Sequence, residues 1–241
     1  MHGSRMDKCL GEYRVNEVIN MNMQQPCLVQ SQHQPWVQSP SKQVLRKRFH
    51  LVGEAESGQV TSLVRYLAGA QFSQHEHPEG EEILVLEGVF SDAQGDWPAG
   101  SWLLNPEGFS HAPYSVKGCL LLVKLRQYVH AAKVAVNWHD IAPSGPSSFS
   151  SRLLGQYGDV QTRVLELPPG CHLQHTYDAG VEGFVIAGQL TLAGTNVLAL
   201  DWFRLPAGAT LDLRSQGCTL YVKENAVTGL RDGAALSAAT Y

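Results

Sequence analysis

The sequence predicts an all-β chain made of two successive copies of one domain, each a sandwich or a barrel. Three observations lead there. Residues 60 to 225 are filled with short apolar runs, among them TSLVRYLA, EEILVLEGVF, CLLLVKL, EGFVIAGQLTLAG and CTLYVKE, with Gly, Pro, Asn and Asp between them. Many short strands punctuated in this way indicate a sandwich or a barrel, and no long amphipathic helix interrupts the span. The chain also repeats itself. At an offset of 100 residues His75 falls on His175, Glu82 on Glu182, Gly88 on Gly188, Trp102 on Trp202, Pro106 on Pro206 and Gly108 on Gly208. One residue out of step, CLLLVK (119–124) falls on CTLYVK (218–223). One match would be chance; this many in one register indicates duplication.

In chain order, residues 1–32 match neither copy. They are polar, rich in Asn and Gln, and carry Met6, Met21 and Met23, which predicts a frayed or partner-clasping arm. They lack the apolar core of a secretory signal, and nowhere does an apolar stretch approach the roughly 20 residues that span a bilayer. The expected location is therefore the cytoplasm. Residues 33–135 form the first domain. The stretch HAAKVAVNWHDIAPSGPSS turns rich in Pro, Ser and Gly and marks the junction. Residues 136–229 form the second domain and 230–241 a C-terminal tail.

Eighteen basic against 22 acidic residues leave a net charge of −4, which provides no electrostatic footprint for nucleic acid or an anionic membrane. The 5 cysteines are scattered, odd in number and in no CxxC pair, which argues against a disulfide framework or a thiolate zinc site. Cys119 and Cys218 lie in apolar runs and read as small core residues.

The chemistry concentrates in HEHPEGEE, residues 75 to 82, directly before the apolar run Ile83-Leu84-Val85-Leu86. Side chains two apart on a strand share a face, so His75 and His77 project together. A third imidazole, His111, follows the turn signal NPEGFSH. Three imidazoles and a carboxylate suit a borderline divalent metal: zinc, iron(II), nickel or manganese. The plainer alternative is a solvated histidine pair beside a charged turn that guards an apolar strand against aggregation.

The spacing Gly69-x5-His75-x-His77-x3-Glu81-x6-Gly88 resembles the first motif of the cupin superfamily. Gly100-x5-Pro106-x-Gly108-x2-His111 resembles the second, with Ser115 where many cupins have Asn. The wording from Leu63 to Pro113, with QPWVQSPSKQVLRKRFHL upstream, is similar to the cupin domain of ChrR-type anti-sigma factors. The resemblance implies an all-β fold of tandem double-stranded β-helix (cupin, jelly-roll) barrels, with His75, His77, Glu81 and His111 as metal ligands. It also implies a divalent ion as cofactor, zinc in a purified sample, with iron, nickel and manganese as the other candidates. The N-terminal zinc-binding helical domain of those factors, with its HxxxCxxC signature, has no counterpart in this sequence.

The second copy departs from the pattern. His77 becomes Tyr177, His111 becomes Leu211 and Glu81 becomes Val181, while Glu182 stands one step away. The expected role is structural, with a metal-free pocket as the alternative. Trp102 and Trp202 are expected to pack in a core or between domains. His2, His33, His50, His130 and His139 read as surface or linker residues. The run 83–86 is apolar on both strand faces, so its outer face is expected to meet a second sheet, the sister domain or another subunit, a homodimer being one arrangement.

Two functions lead and a third is weaker. One is a sensor or regulatory protein that responds at its metal site to an oxidant or small effector and signals to a protein partner. The other is an iron-dependent dioxygenase acting on a small carbonyl or enol substrate. A sugar epimerase or isomerase is a third, for which the sequence offers no dedicated acid/base pair. Neither nucleic acid nor a membrane is an expected partner.

Overall fold

A computed structural model of the chain describes residues 19–54 and 56–232. Its strands form two jelly-roll barrels of the same strand order, as the repeat predicts. In the first, the sheet runs Ser101–Asn105, Glu81–Asp92, Cys119–Leu125, Gln59–Tyr66, Val44–Val52. In the second it runs Trp202–Leu205, Val181–Leu192, Thr210–Glu224, Val160–Leu167, Ser150–Tyr157. Register is preserved as well: Leu84 faces Trp102 as Phe184 faces Trp202, and Cys119 faces Gly88 as Cys218 faces Gly188.

The repeated glycine has a steric cause. Gly88 has φ +75° and Gly188 φ +76°, and a Cβ there would lie 2.2 Å and 2.0 Å from the carbonyl oxygens of Gly118 and Gly217. Only glycine tolerates both the left-handed backbone and the approach of the facing strand.

Each copy lends a strand to the other. Cys27–Val29, which precedes the first domain in sequence, pairs antiparallel with Trp202–Leu205 of the second. Val134–Asn137, at the junction ahead of the second barrel's strand Ser150–Tyr157, pairs with Ser101–Asn105 of the first. Each covers a sheet edge that would otherwise present unpaired backbone groups. Where the sequence suggests a frayed or partner-clasping arm, residues from Ile19 onward are bonded into the fold, and Met23 is buried. Residues 1–18, including His2 and Met6, lie outside the described residues. No helix among the described residues is long and apolar enough to cross a membrane.

Three apolar cores result. Ile83 and Val85 point into the first barrel, and Val181, Val185 and Leu211 fill the second. Leu84, Trp102, Phe184 and Trp202 meet in a third cluster between the domains, where Phe49 stacks on Trp202 with ring centroids 6.0 Å apart. The outer face of the run 83–86 is thus covered by the sister domain.

That interface also buries charge reciprocally. Lys223 of the second domain donates to Glu82 of the first at 2.6 Å, and Lys124 of the first donates to Glu182 of the second. Glu82 further accepts from the Trp102 indole at 2.6 Å and from the Tyr128 and Tyr221 hydroxyls. Burial works to raise the Glu82 carboxyl, but Lys223 and Lys124 hold it down to about 2. The match of Glu82 to Glu182 and of Lys124 to Lys223 therefore marks an internal ion-pair cluster.

His50 requires a correction. The sequence reads it as a surface or linker residue, yet it is fully buried. A bulge places Arg48 opposite Ser62 and His50 opposite Thr61, leaving Phe49 as the extra residue. The bulge breaks the strand's alternation and turns His50 into the interface, where Arg204 donates to its Nδ1 at 3.2 Å. Burial first, and Arg204 second, push its pKa down to about 4.

A candidate metal centre

His75–His77 pairs antiparallel with Phe109–His111 in a separate two-stranded ribbon, with His111 directly opposite His75. A turn closed by Gly80 N–H on the His77 carbonyl at 3.1 Å, with Gly80 at φ +75°, leads to Glu81, the first residue of the next strand. The period-2 alternation of the strands then aims His75, His77 and His111 at one point, with the Glu81 carboxylate beside it.

Ligand atoms of the three imidazoles all lie within 4.8 Å of one another. His77 Nε2 and His111 Nε2 are 3.0 Å apart, and Glu81 Oε2 is 3.5 Å from the first and 3.6 Å from the second. Ligands about 2.1 Å from one ion stand about 3.0 to 3.4 Å apart in octahedral and tetrahedral arrangements. The edges joining His77, His111 and Glu81 are close to that size, while the set of three imidazoles spans up to 4.8 Å.

The surroundings decide which nitrogens are available. His75 Nδ1 is 2.8 Å from the Ser73 carbonyl, which can only accept, so the proton sits on Nδ1 and Nε2 keeps its lone pair. His111 Nδ1 donates to Asp92 Oδ2 at 3.3 Å and presents Nε2 in the same way. Asn105, opposite Glu81 in the register, donates to Glu81 Oε2 at 3.1 Å. Lone pairs and a carboxylate facing one another at this range repel unless a cation or a proton lies between them. Carboxylate or carbonyl partners behind imidazoles are the usual means of fixing a ligating tautomer.

Electrostatics favour the ligating state. Burial first, with the neighbouring His111 and His75, lowers the His77 pKa against the opposing pull of Glu81, which favours the neutral, ligating ring. Burial works to raise the Asp92 carboxyl, but hydrogen bonds from His111, the Gln94 N–H and the Trp97 indole hold it below the usual range. The cluster opens on a cavity of about 300 Å³ with apolar walls that include Val64, Phe72, Phe90 and Leu121.

All four residues singled out by the sequence come together here. Ser73, Asp92 and Asn105 were missed. Asn105 belongs to the turn signal NPEGFSH, and no local pattern says that Asp92 faces an imidazole 19 residues away.

The second barrel keeps the frame and loses the chemistry. Leu211 stands opposite His175 as His111 stands opposite His75, and the His175 and Tyr177 rings are 4.5 Å apart. Leu211 and Val181 are fully buried in its apolar core, and His175 is exposed. Glu182, which the sequence offered as a displaced carboxylate, leaves the opposite face of its strand to bind Lys124. Among the described residues, the histidines of the first barrel are the cluster able to hold a metal.

Comparison with known proteins adds the following. The profile of the ChrR cupin-like domain family matches residues 24–129. A protein of Nostoc punctiforme whose provisional assignment is dioxygenase superposes with a TM-score of 0.70 at 12% identity, covering 87% of this chain and 86% of that one. The pirin YhhW of Escherichia coli, in complex with nickel(II), gives 0.64 at 15% identity, over 83% of this chain and 98% of that one. The oxalate decarboxylase of Lactobacillus farciminis gives 0.61 at 13% identity, over 83% and 86%. At these identities the likeness is one of fold. No curated protein matches the sequence significantly.

Proposed function

The chain is a tandem cupin whose residues 24–129 match the ChrR cupin-like domain, and from that premise we propose that its first barrel is a metal-dependent sensor of a small effector or oxidant. The carrying observation is the convergence of His75, His77 and His111 with Glu81 in a site whose imidazole tautomers are set from behind. When bound, a divalent ion supplies Lewis acidity and positions open to an effector. The protein's own groups do the rest: the Ser73 carbonyl and Asp92 hold protons at Nδ1 of His75 and His111, and Asn105 steadies Glu81. Zinc is the ion expected in purified protein; iron, nickel and manganese suit the same donors. A regulatory role requires a protein partner that distinguishes the filled from the empty site.

A metal-dependent oxygenase is the second reading, favoured by the cavity beside the imidazoles, which has room for a substrate. Metal analysis of protein purified without added metal, followed by oxygen uptake with small diketones and hydroxyketones, separates the two. One equivalent of metal without uptake is the expected result; metal-dependent uptake establishes the oxygenase, and no retained metal overturns both.

Asp92→Asn keeps the turn bonds and removes the charge behind His111. Metal affinity should drop at least ~10-fold, within the 10- to 100-fold range typical of such partners. Chelator competition measures it, and unchanged affinity would remove Asp92 from the site.

A further inference from the structure

The cavity of the first barrel differs from the interior of its sister in one consistent way. Tyr66, Phe72 and Phe90 line it beside the imidazoles. Tyr66 stands opposite Cys119 as Leu167 stands opposite Cys218, so the two are equivalent. Phe90 and Leu190 are equivalent through their pairing with Trp97 and Val197. Phe72 donates its N–H to the Pro113 carbonyl and Leu173 faces Leu213, each partner two residues past His111 or Leu211. Three aromatic rings thus take the places of three leucines. Leucine satisfies the fold at these points, since Leu167 and Leu190 are buried in the filled core of the second barrel. The rings accompany the imidazoles instead.

They form one box. Tyr66 meets Phe72 edge-on with centroids 5.8 Å apart, and Phe90 edge-on at 5.9 Å. Phe72 lies 5.8 Å from His75, and Phe90 6.1 Å from His111. A further ring placed against such walls gains about two- to tenfold in affinity per ring contact beyond what its buried area supplies. The Tyr66 hydroxyl makes no hydrogen bond to another described residue. Burial first, and then Glu81, keep it protonated. A buried hydroxyl left unpaired costs free energy that a polar group on a ligand recovers.

Charge does not direct the choice of ligand. Arg46 and Arg48 pair with Glu56, Arg126 pairs with Glu79, and Glu76 and Glu81 add carboxylates to the same lining. An ionic ligand meets both signs there and loses its hydration against the apolar wall.

We propose that the first barrel takes a neutral monocyclic phenol, its ring boxed by Tyr66, Phe72 and Phe90 and its hydroxyl bonded to that of Tyr66. This names the chemical class of the small effector or substrate, and it rests on the reading of the first barrel as a ligand-binding centre. The volume of about 300 Å³ equals that of about ten water molecules at roughly 30 Å³ each, which sets the ligand at the order of ten non-hydrogen atoms.

The test is calorimetric titration of the full chain with phenol, para-cresol and para-ethylphenol, and with the saturated cyclohexanol of each. At least one phenol should bind saturably at one per chain, about tenfold or more tighter than its saturated counterpart. Phe72→Leu with Phe90→Leu, which copies the residues of the second barrel, should erase that preference. Tyr66→Phe keeps the ring and should weaken the phenol by about two- to tenfold, the worth of one hydrogen bond. If the leucine variant does not fold, Tyr66→Phe and the comparison on the unmodified chain decide. No saturable binding by any phenol, a saturated alcohol bound as well as its phenol, or a preference that survives both leucines overturns the proposal. Unchanged binding by Tyr66→Phe overturns the part given to its hydroxyl. Metal content, measured on the same samples, reports separately: a protein that retains no metal yet prefers phenols in this way refutes the metal reading and leaves this one standing.

Discussion

Glu82→Gln is expected to destabilise the protein by about 3–5 kcal/mol, the usual cost of removing one partner from a buried ion pair. The substitution preserves shape and removes only charge. Lys223, almost without solvent contact, then loses its carboxylate, while Lys124 keeps that of Glu182. The Tyr128 and Tyr221 hydroxyls and the Trp102 indole lose a charged acceptor at the same time. Pairing Glu82→Gln with Lys223→Met should recover part of the loss, because the uncompensated ammonium is removed along with its partner. Urea unfolding of metal-free protein measures both, and a loss below about 1 kcal/mol, the size of an exposed pair, would show that the interface is hydrated.

The same groups set the response to acid. The folded carboxyl of Glu82, held down to about 2, contributes stability that is present above its ordinary pKa of 4.5 and is lost as pH falls toward 2. His50, held down to about 4 from 6.5, acts earlier: the unfolded chain takes up a proton that the folded one refuses. Stability should fall between pH 6.5 and 4 by about 3 kcal/mol from His50 alone, at 1.36 kcal/mol per pKa unit. His50→Gln should flatten that part of the profile.

His77→Ala combined with His111→Ala is expected to abolish stoichiometric metal and leave the barrels folded. Loss of a partner behind a ligand costs up to about 100-fold in affinity, and loss of two ligands themselves must exceed that. The fold should survive because the apolar cluster of the first barrel, with Val44, Val64, Ile83 and Leu103, does not pass through the imidazoles. Equilibrium dialysis and far-UV circular dichroism check the two halves of this expectation. One equivalent of tightly held metal in the double variant would move the site elsewhere.

What the sequence by itself determined was local or periodic. Strand alternation places His75 and His77 on one face, the repeat aligns two barrels strand by strand, and the resemblance of the two motifs to the cupin pattern adds His111 and Glu81 to them. It also showed that Ile83-Leu84-Val85-Leu86 must be covered on both faces. What covers a face is a different kind of fact. Glu81 and Glu82 are neighbours in the chain, yet one leaves its strand toward the imidazoles and the other toward Lys223 and Tyr221, 141 and 139 residues away. Periodicity assigns them to opposite faces and is silent about what each face meets. The exchange of Cys27–Val29 and Val134–Asn137 between the domains, the Ser73, Asp92 and Asn105 contacts behind the ligands, and the burial of His50 past a bulge all belong to that second kind. They depend on pairings between distant strands, and only the folded chain, where burial makes an unpaired charge or an uncovered edge costly, selects among the partners those strands could have had.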